Sequence, residues 1–154
     1  MIRRAIPEDV GKIQELLSQI DLIHHEGRPD LFKIGTKYTD SEIVSIMSDE
    51  DRPVFVYVDD DGVVLGYCFC EIEVTEEDNI RPYMKTLYID DLCVDEKLRG
   101  KHIGRELYDA AVKLAKDSGC YNLTLNVWSC NTSALRFYES CGLVPQKVGM
   151  ELIL

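Results

Sequence analysis

The chain has 154 residues, of which 45% are hydrophobic and 29% charged, a length and mixture that fit one soluble globular domain spanning 1–154. Its 28 acidic residues outnumber 17 basic ones, for a formal net charge of −11, which argues against general nucleic-acid binding because such binding rests on basic groups neutralising phosphates. No apolar run approaches the ~20 residues that a membrane helix needs, and MIRRAIPEDV has no apolar stretch after its arginines, so no membrane partner and a cytoplasmic location are expected.

In chain order, Ile2 to Ala5 reads as a short opening strand. Pro7, Glu8 and Asp9 look like the first turn of a helix, with proline at a tolerated position and acids near the positive dipole end. Val10, Ile13, Leu17 and Ile20 continue it at helical spacing. Residues 21–38 carry Gly27, Pro29 and Gly35 without a clean period, and are read as a loop or broken helix. Thr39-Asp40-Ser41-Glu42 fits a capping box, opening a short helix through Ile43 and Met47. PVFVYV (53–58) and VVLGYCFCEIEV (63–74), joined by DDDG, predict a hairpin.

TLYIDDLCV (86–94) predicts a further strand. Ile103, Leu107, Ala111 and Leu114 mark a helix that Gly119 ends. Tyr121 to Trp128 alternates as a strand, Asn131 caps a helix carrying Leu135 and Tyr138, and Gly142 ends it. KVGMELIL (147–154) reads as a last strand. The order β-α-α-β-β-β-α-β-α-β implies a mixed α/β sheet, antiparallel in its first half and locally parallel in its second, with helices on its faces.

Six cysteines, Cys68, Cys70, Cys93, Cys120, Cys130 and Cys141, form no C-x-x-C pair, so they are expected as buried free thiols. No set of residues is spaced as metal ligands, and no metal is expected.

Lys97, Arg99, Lys101 and Arg105 are interleaved with Gly100 and Gly104 where the helix from Ile103 begins. A helix N-terminus exposes unpaired amides and a positive dipole end, glycine lets backbone approach a bulky anion, and the side chains add charge; together they suggest a phosphate cradle, against the plainer alternative of a cap with solvated lysines. A P-loop is excluded because G-x-x-x-x-G-K-[ST] is absent, and a Rossmann site because G-x-G-x-x-G is absent.

IDDLCVDEKLRGKHIG and NVWSCNTSALRFYESCGL together resemble the GNAT superfamily of N-acetyltransferases, over the full chain. Arg99 and Gly104 fit that family's Q/R-x-x-G-x-G/A turn, while His102 stands where the pattern has glycine. The resemblance implies acetyl-CoA as donor, with its pantetheine arm in a gap between splayed strands against Leu92 and Val94, a thioester-polarising amide at Leu92 or Cys93, and its diphosphate on amides of Arg99, Gly100, Lys101, His102, Ile103, Gly104 and Arg105. Asn131 would hydrogen-bond the arm, and Tyr138 would be the general acid. Asp90 and Asp91, adjacent on a strand, are expected to face opposite ways. Polyamine-acetylating members carry Y-L-E-D in this strand, which puts Asp90 in the acidic catalytic slot, with Asp91 the second candidate. Glu71, His25, Glu26 and Trp128 are the expected acceptor-binding residues, with Glu73 on the same strand face as Glu71. The implied reaction is acetyl transfer to the primary amine of a small cationic molecule, or of a protein or peptide, in a chain that pairs as a homodimer through its last strand. The alternative is a non-catalytic module of this fold that binds acetyl-CoA as a sensor.

Overall fold

The computed structural model describes residues 1–154. β1 (Ile2–Arg4), β2 (Val54–Val58), β3 (Val64–Thr75), β4 (Met84–Val94) and β5 (Asn122–Leu125) form one sheet in that order. β1 through β4 pair antiparallel, whereas β4 and β5 pair parallel. The β2–β3 hairpin turns where Asp59 N donates to Val63 O, with Gly62 at φ +81°.

Four helices cover the sheet: α1 (Val10–Gly27), α2 (Asp40–Met47), α3 (Ile103–Asp117) and α4 (Thr132–Ser140). On one face Ile13, Leu16 and Leu17 of α1 and Ile43 of α2 bury against Val54, Val56, Tyr67 and Phe69. On the other, Ile103, Leu107 and Ala111 of α3 pack on Cys68, Cys70, Leu87 and Ile89. Each helix presents one apolar stripe and each strand alternates between the two cores, which is what periods of 3.6 and 2 produce. The Thr39 capping box is formed, with Thr39 Oγ1 accepting from Glu42 N and Glu42 Oε2 accepting from Thr39 N.

Three expectations are corrected. The first helix does not stop at Ile20: Ile23 keeps its apolar face, and α1 runs through His24 and His25 to Gly27, leaving 28–38 as the irregular segment. β5 pairs only from Asn122 to Leu125, because residues 126–131 turn away from β4. Residues 147–154 form no strand: from Val144 onward no backbone amide or carbonyl is hydrogen-bonded to another, and Val148, Met150, Leu152 and Leu154 stay exposed. Among the cysteines, Cys68, Cys70 and Cys93 are buried free thiols as expected, while Cys130 is exposed.

One pairing in β3–β4 sets the geometry that follows. The register runs Phe69↔Asp91 and then Cys70↔Ile89, so Asp90 is an extra residue with no partner, a β-bulge. The last β4–β5 pair is Ile89↔Leu125, one residue before the bulge, and from Asp90 to Val94 the β5-side edge of β4 is open. Gly66 sits opposite Val94 on this stretch, and a Cβ there would lie 2.9 Å from Cys93 O and 3.1 Å from Leu107 Cδ1. Backbone cannot yield cheaply to such a contact, so Gly66→Ala is expected to destabilise the fold by about 1–3 kcal/mol, read as a lowered denaturation midpoint in urea.

Candidate functional site

The open edge of β4 forms one wall of a cleft of about 650 Å³ lined by Leu92, Val94, the 99–105 turn, Asn131 and Tyr138, with Ile20 and Ile23 of α1 at its rim. Asp95 N donates to Leu65 O, so the amide of Asp95 faces β3. Strand alternation carries Cys93 to the same side and turns the backbone of Leu92 and Val94 toward the cleft. The choice between Leu92 and Cys93 as an amide facing the cleft therefore falls on Leu92; Cys93 turns its side chain into the α1 core, with Sγ 3.5 Å from Leu16 O. Burial pushes that thiol up to about 12.

The turn from Arg99 to Arg105 leaves its backbone donors free. None of these amides hydrogen-bonds within the protein, and the first helical bond of α3 is Glu106 N to His102 O. Gly100 has φ +84°, and His102 has φ 63°, ψ 3°, the left-handed region that costs a non-glycine residue roughly 1–2 kcal/mol. His102 thus adopts the backbone of the glycine it stands in for. Arg99 and Lys101 extend into solvent, while Arg105 bonds Asp109 through Nε at 3.0 Å, so that its amide rather than its side chain faces the turn.

Tyr138, only 9% exposed, makes no hydrogen bond through its hydroxyl. Burial holds this phenol far above its ordinary range, so it keeps its proton at any working pH. Asn131 Oδ1 caps α4 by accepting from Ala134 N at 3.2 Å, a structural duty that leaves its amide nitrogen free.

The bulge overturns the expected disposition of the two aspartates. Asp90 and Asp91 do not face opposite ways: the extra residue breaks the alternation, and both carboxylates turn toward the α1 face. Asp90 Oδ1 accepts from Lys37 Nζ at 2.8 Å and its Oδ2 from Tyr38 Oη at 2.5 Å. Lys37 Nζ also reaches the carbonyl of Asp90 at 3.3 Å and stands 5.5 Å from the centre of the Tyr38 ring. Asp91 Oδ2 accepts from Tyr67 Oη at 3.1 Å. Burial drives the Asp91 carboxyl up to about 7; Lys37 and the Tyr67 bond pull it down, and Asp90 and Asp21 push it further up. Asp21, whose Oδ2 accepts from Lys37 N at 2.7 Å, completes a group of three carboxylates and is itself raised by burial.

The expected acceptor residues divide. His25 is tied down, Nδ1 lying 2.6 Å from Phe32 O, and Glu26 points to solvent. Glu71 shares the face of Phe69 but lies 3.8 Å from Arg52, and Glu73 is exposed. Trp128 joins an aromatic row, edge-on to Phe32 at 5.1 Å, with Phe32 in turn 5.2 Å from the His24 ring. Sequence reasoning passed over Asp21, Lys37 and Tyr38. Asp21 follows Leu17 and Ile20 on α1 and could have been placed beside the core, but nothing local signals that a segment without periodicity folds back onto residues more than fifty positions away.

A family model described as the acetyltransferase (GNAT) family matches residues 19–143. Over 75 residues the chain is 31% identical to the glucosamine 6-phosphate N-acetyltransferase of Arabidopsis thaliana, covering 49% of this chain and 48% of that protein. The chain thus spans about half the length of the curated relatives it matches. Among solved structures, the tetramutant of the BH1408 protein from Bacillus halodurans is 32% identical, with a TM-score of 0.97 over 100% of this chain and 99% of that one. An aminoglycoside N-acetyltransferase in complex with CoA superposes with a TM-score of 0.75 over 100% of this chain and 98% of that one, at 14% identity, a likeness of fold alone.

Asp91 ties the site to stability. An unfolded aspartate titrates near about 3.9, and the folded one near 7. Between those values the folded chain holds a proton that the unfolded chain has lost, so stability falls as pH rises through this window and the whole cost stands above it. Asp91→Asn keeps an acceptor for Tyr67 and removes the charge. It is expected to raise Tm by on the order of 5 °C at pH 8 and to leave it nearly unchanged at pH 4; thermal melts at the two pH values check this.

Proposed function

This chain belongs to the GNAT acetyltransferase family, and from that premise we propose that it transfers an acetyl group from acetyl-CoA to the primary amine of a small cationic molecule. The observation that carries the choice of acceptor is the convergence of Asp21, Asp90 and Asp91 on one face beside the cleft, where Asp90 holds the ammonium of Lys37, Asp21 holds the same residue's backbone amide, and Asp91 follows Asp90 along β4. Three carboxylates in so small a volume favour a cation and repel an anion.

The residues fit a coenzyme A thioester in the cleft. Free amides from Arg99 to Arg105 at the start of α3, with Arg99 and Lys101 beside them, suit a diphosphate. The backbone of Leu92 and Val94 is open to pair with an extended amide-bearing arm, and the neighbouring structure with CoA supports coenzyme A as the occupant. Acetyl-CoA supplies, when bound, an acetyl group already activated as a thioester. The Leu92 amide is aimed to polarise a carbonyl in the cleft. Asp91, balanced near neutrality, takes the proton that an ammonium must lose before its nitrogen can attack. Tyr138, always protonated and with its hydroxyl free, gives a proton to the departing sulfur. Asp90 then holds the acceptor's charge rather than its proton, since Tyr38 and Lys37 already engage both of its oxygens.

The relatives' acceptor, glucosamine 6-phosphate, carries a dianionic group, and a site for it needs free cations. Here Lys37 is paired with Asp90, Arg52 with Glu71, and Arg28 with Asp30 and Glu151. A phosphate-free amine is therefore the expected acceptor. The test is thiol release from acetyl-CoA with polyamines, amino sugars, glucosamine 6-phosphate, amino acids and N-terminal peptides. Turnover of a polyamine or amino sugar is expected, and preference for glucosamine 6-phosphate would reject the acceptor assignment. With the preferred amine, kcat/KM rises as pH rises through about 7, because only the ionised Asp91 accepts a proton. Tyr138→Phe lowers kcat by on the order of 100-fold with KM little changed.

The apolar run after Val144 has no backbone partner, and the outer edge of β5 is open. These two features support a homodimer in which each tail pairs with the partner's β5 edge. Light scattering is expected to give a dimer for the full chain and a monomer for a chain ending at residue 143.

A further inference from the structure

The ammonium of Lys37 occupies the position on the acceptor face where an amine would be expected to sit. It contacts the carboxylate of Asp90 at 2.8 Å and the carbonyl of the same residue at 3.3 Å, and Asp90 is the unpaired residue of the bulge. The open edge of β4 that walls the cleft begins at that residue. Asp91 follows Asp90 along β4, its Oδ2 accepting from Tyr67 Oη at 3.1 Å, and the strand runs on from it to Leu92 on the cleft wall. The other eight lysines lack such a setting: Lys12, Lys113 and Lys85 are held by Glu15, Asp117 and Ser118 O, and Lys33, Lys97, Lys101, Lys116 and Lys147 make no bond to a carboxylate.

The segment that carries Lys37 is fixed mainly through side chains. His25 holds Phe32 O, Asp21 holds the amide of Lys37, and Gln14 holds Tyr38 O at 2.7 Å. Its backbone hydrogen bonds close only its first turn, where Leu31 and Phe32 donate to Arg28 O. The Lys37 side chain is 38% exposed, so its flexible four-carbon stem has room to leave Asp90.

We propose that Lys37 is itself an acetyl acceptor, and that the chain modifies its own Nζ when no external amine occupies the carboxylate face. The inference rests on the acetyl-CoA-dependent transfer proposed above. Lys37 loses one ammonium proton to Asp91, and the neutral nitrogen attacks the thioester carbonyl. The N–C bond forms and the C–S bond breaks. The second nitrogen proton balances the one that Tyr138 gives to sulfur, leaving N-acetyl-Lys37 and coenzyme A thiol. The product carries no charge, so it cannot hold Asp90 by an ion pair, and the site passes to an external cation.

Peptide mapping by mass spectrometry after incubating the full chain with acetyl-CoA alone tests this. A single acetyl group is expected on Lys37, gained at least about tenfold faster than on Lys33, Lys97 or Lys101, as an effective-concentration effect requires. Tyr138→Phe is expected to slow it by about the factor by which it slows amine turnover, saturating spermidine to suppress it, and Lys37→Arg to abolish it without marking a neighbouring lysine instead. Equal labelling of all lysines, or a rate untouched by Tyr138→Phe, would show random chemical acetylation and overturn the proposal. If external amines are acetylated while Lys37 stays unmodified, self-acetylation alone is wrong; if no amine in the panel releases thiol and Lys37 is unmodified, both readings fail.

Discussion

One residue too many in β4 organises this molecule. Had Asp90 been paired, β4 would alternate regularly, and Asp90 and Asp91 would point to opposite cores. The bulge instead puts two adjacent carboxylates on one face and coincides with the end of parallel pairing, so that an open backbone edge and an acidic cluster begin at the same point. A strand edge that walls the cleft and a pair of carboxylates next to it thus start from a single irregularity.

Such a cluster is unfavourable unless something offsets it. Two neighbouring carboxylates, with Asp21 close by, repel, and burial worsens this for Asp91. The structure answers with Lys37 and Tyr38 on Asp90 and Tyr67 on Asp91. Asp90 receives the cation and a hydroxyl, whereas Asp91 receives one hydroxyl, and burial raises the Asp91 carboxyl toward neutrality. Two acids in different surroundings dividing charge and proton duties is how one site does both near neutral pH.

Much of this architecture was legible because it is local. Hydrophobic periods gave the helices and strands, the Thr39 box and the Asn131 cap set helix starts, and the glycine-spaced basic turn fell at the N-terminus of α3 as expected. What escaped was non-local or irregular. The direction of Asp91 depends on a register shift against Cys70, which no pattern within β4 announces. Lys37 and Tyr38 meet Asp90 across a separation of more than fifty residues, from a segment with no period to read. The tail alternates like a strand, yet a strand pattern specifies only what the segment can do and not whether a partner edge lies within reach. α1 outran its expected end because Ile23 keeps the apolar face that the glycine and proline further on had obscured.

The excess of acid over base is also organised rather than diffuse. On the cleft wall lie free amides and the positive end of the α3 dipole, with the unpaired cations Arg99 and Lys101 beside them; Asp21, Asp90 and Asp91 lie outside the cleft, close along the chain to its lining residues Ile20 and Leu92. An elongated ligand with anionic phosphates meets attraction at the turn and repulsion at the carboxylates, and a cationic amine meets the reverse. Such a separation of charge is able to sort an anionic from a cationic ligand before either makes a specific contact. His102 bears on how much this arrangement is worth. Keeping a histidine in a left-handed backbone costs on the order of 1 kcal/mol that glycine would not, yet that conformation keeps the turn's amides pointing outward rather than closing on the protein. The turn is therefore held open by the fold itself, so an anion arriving there finds donors already oriented and need not organise them.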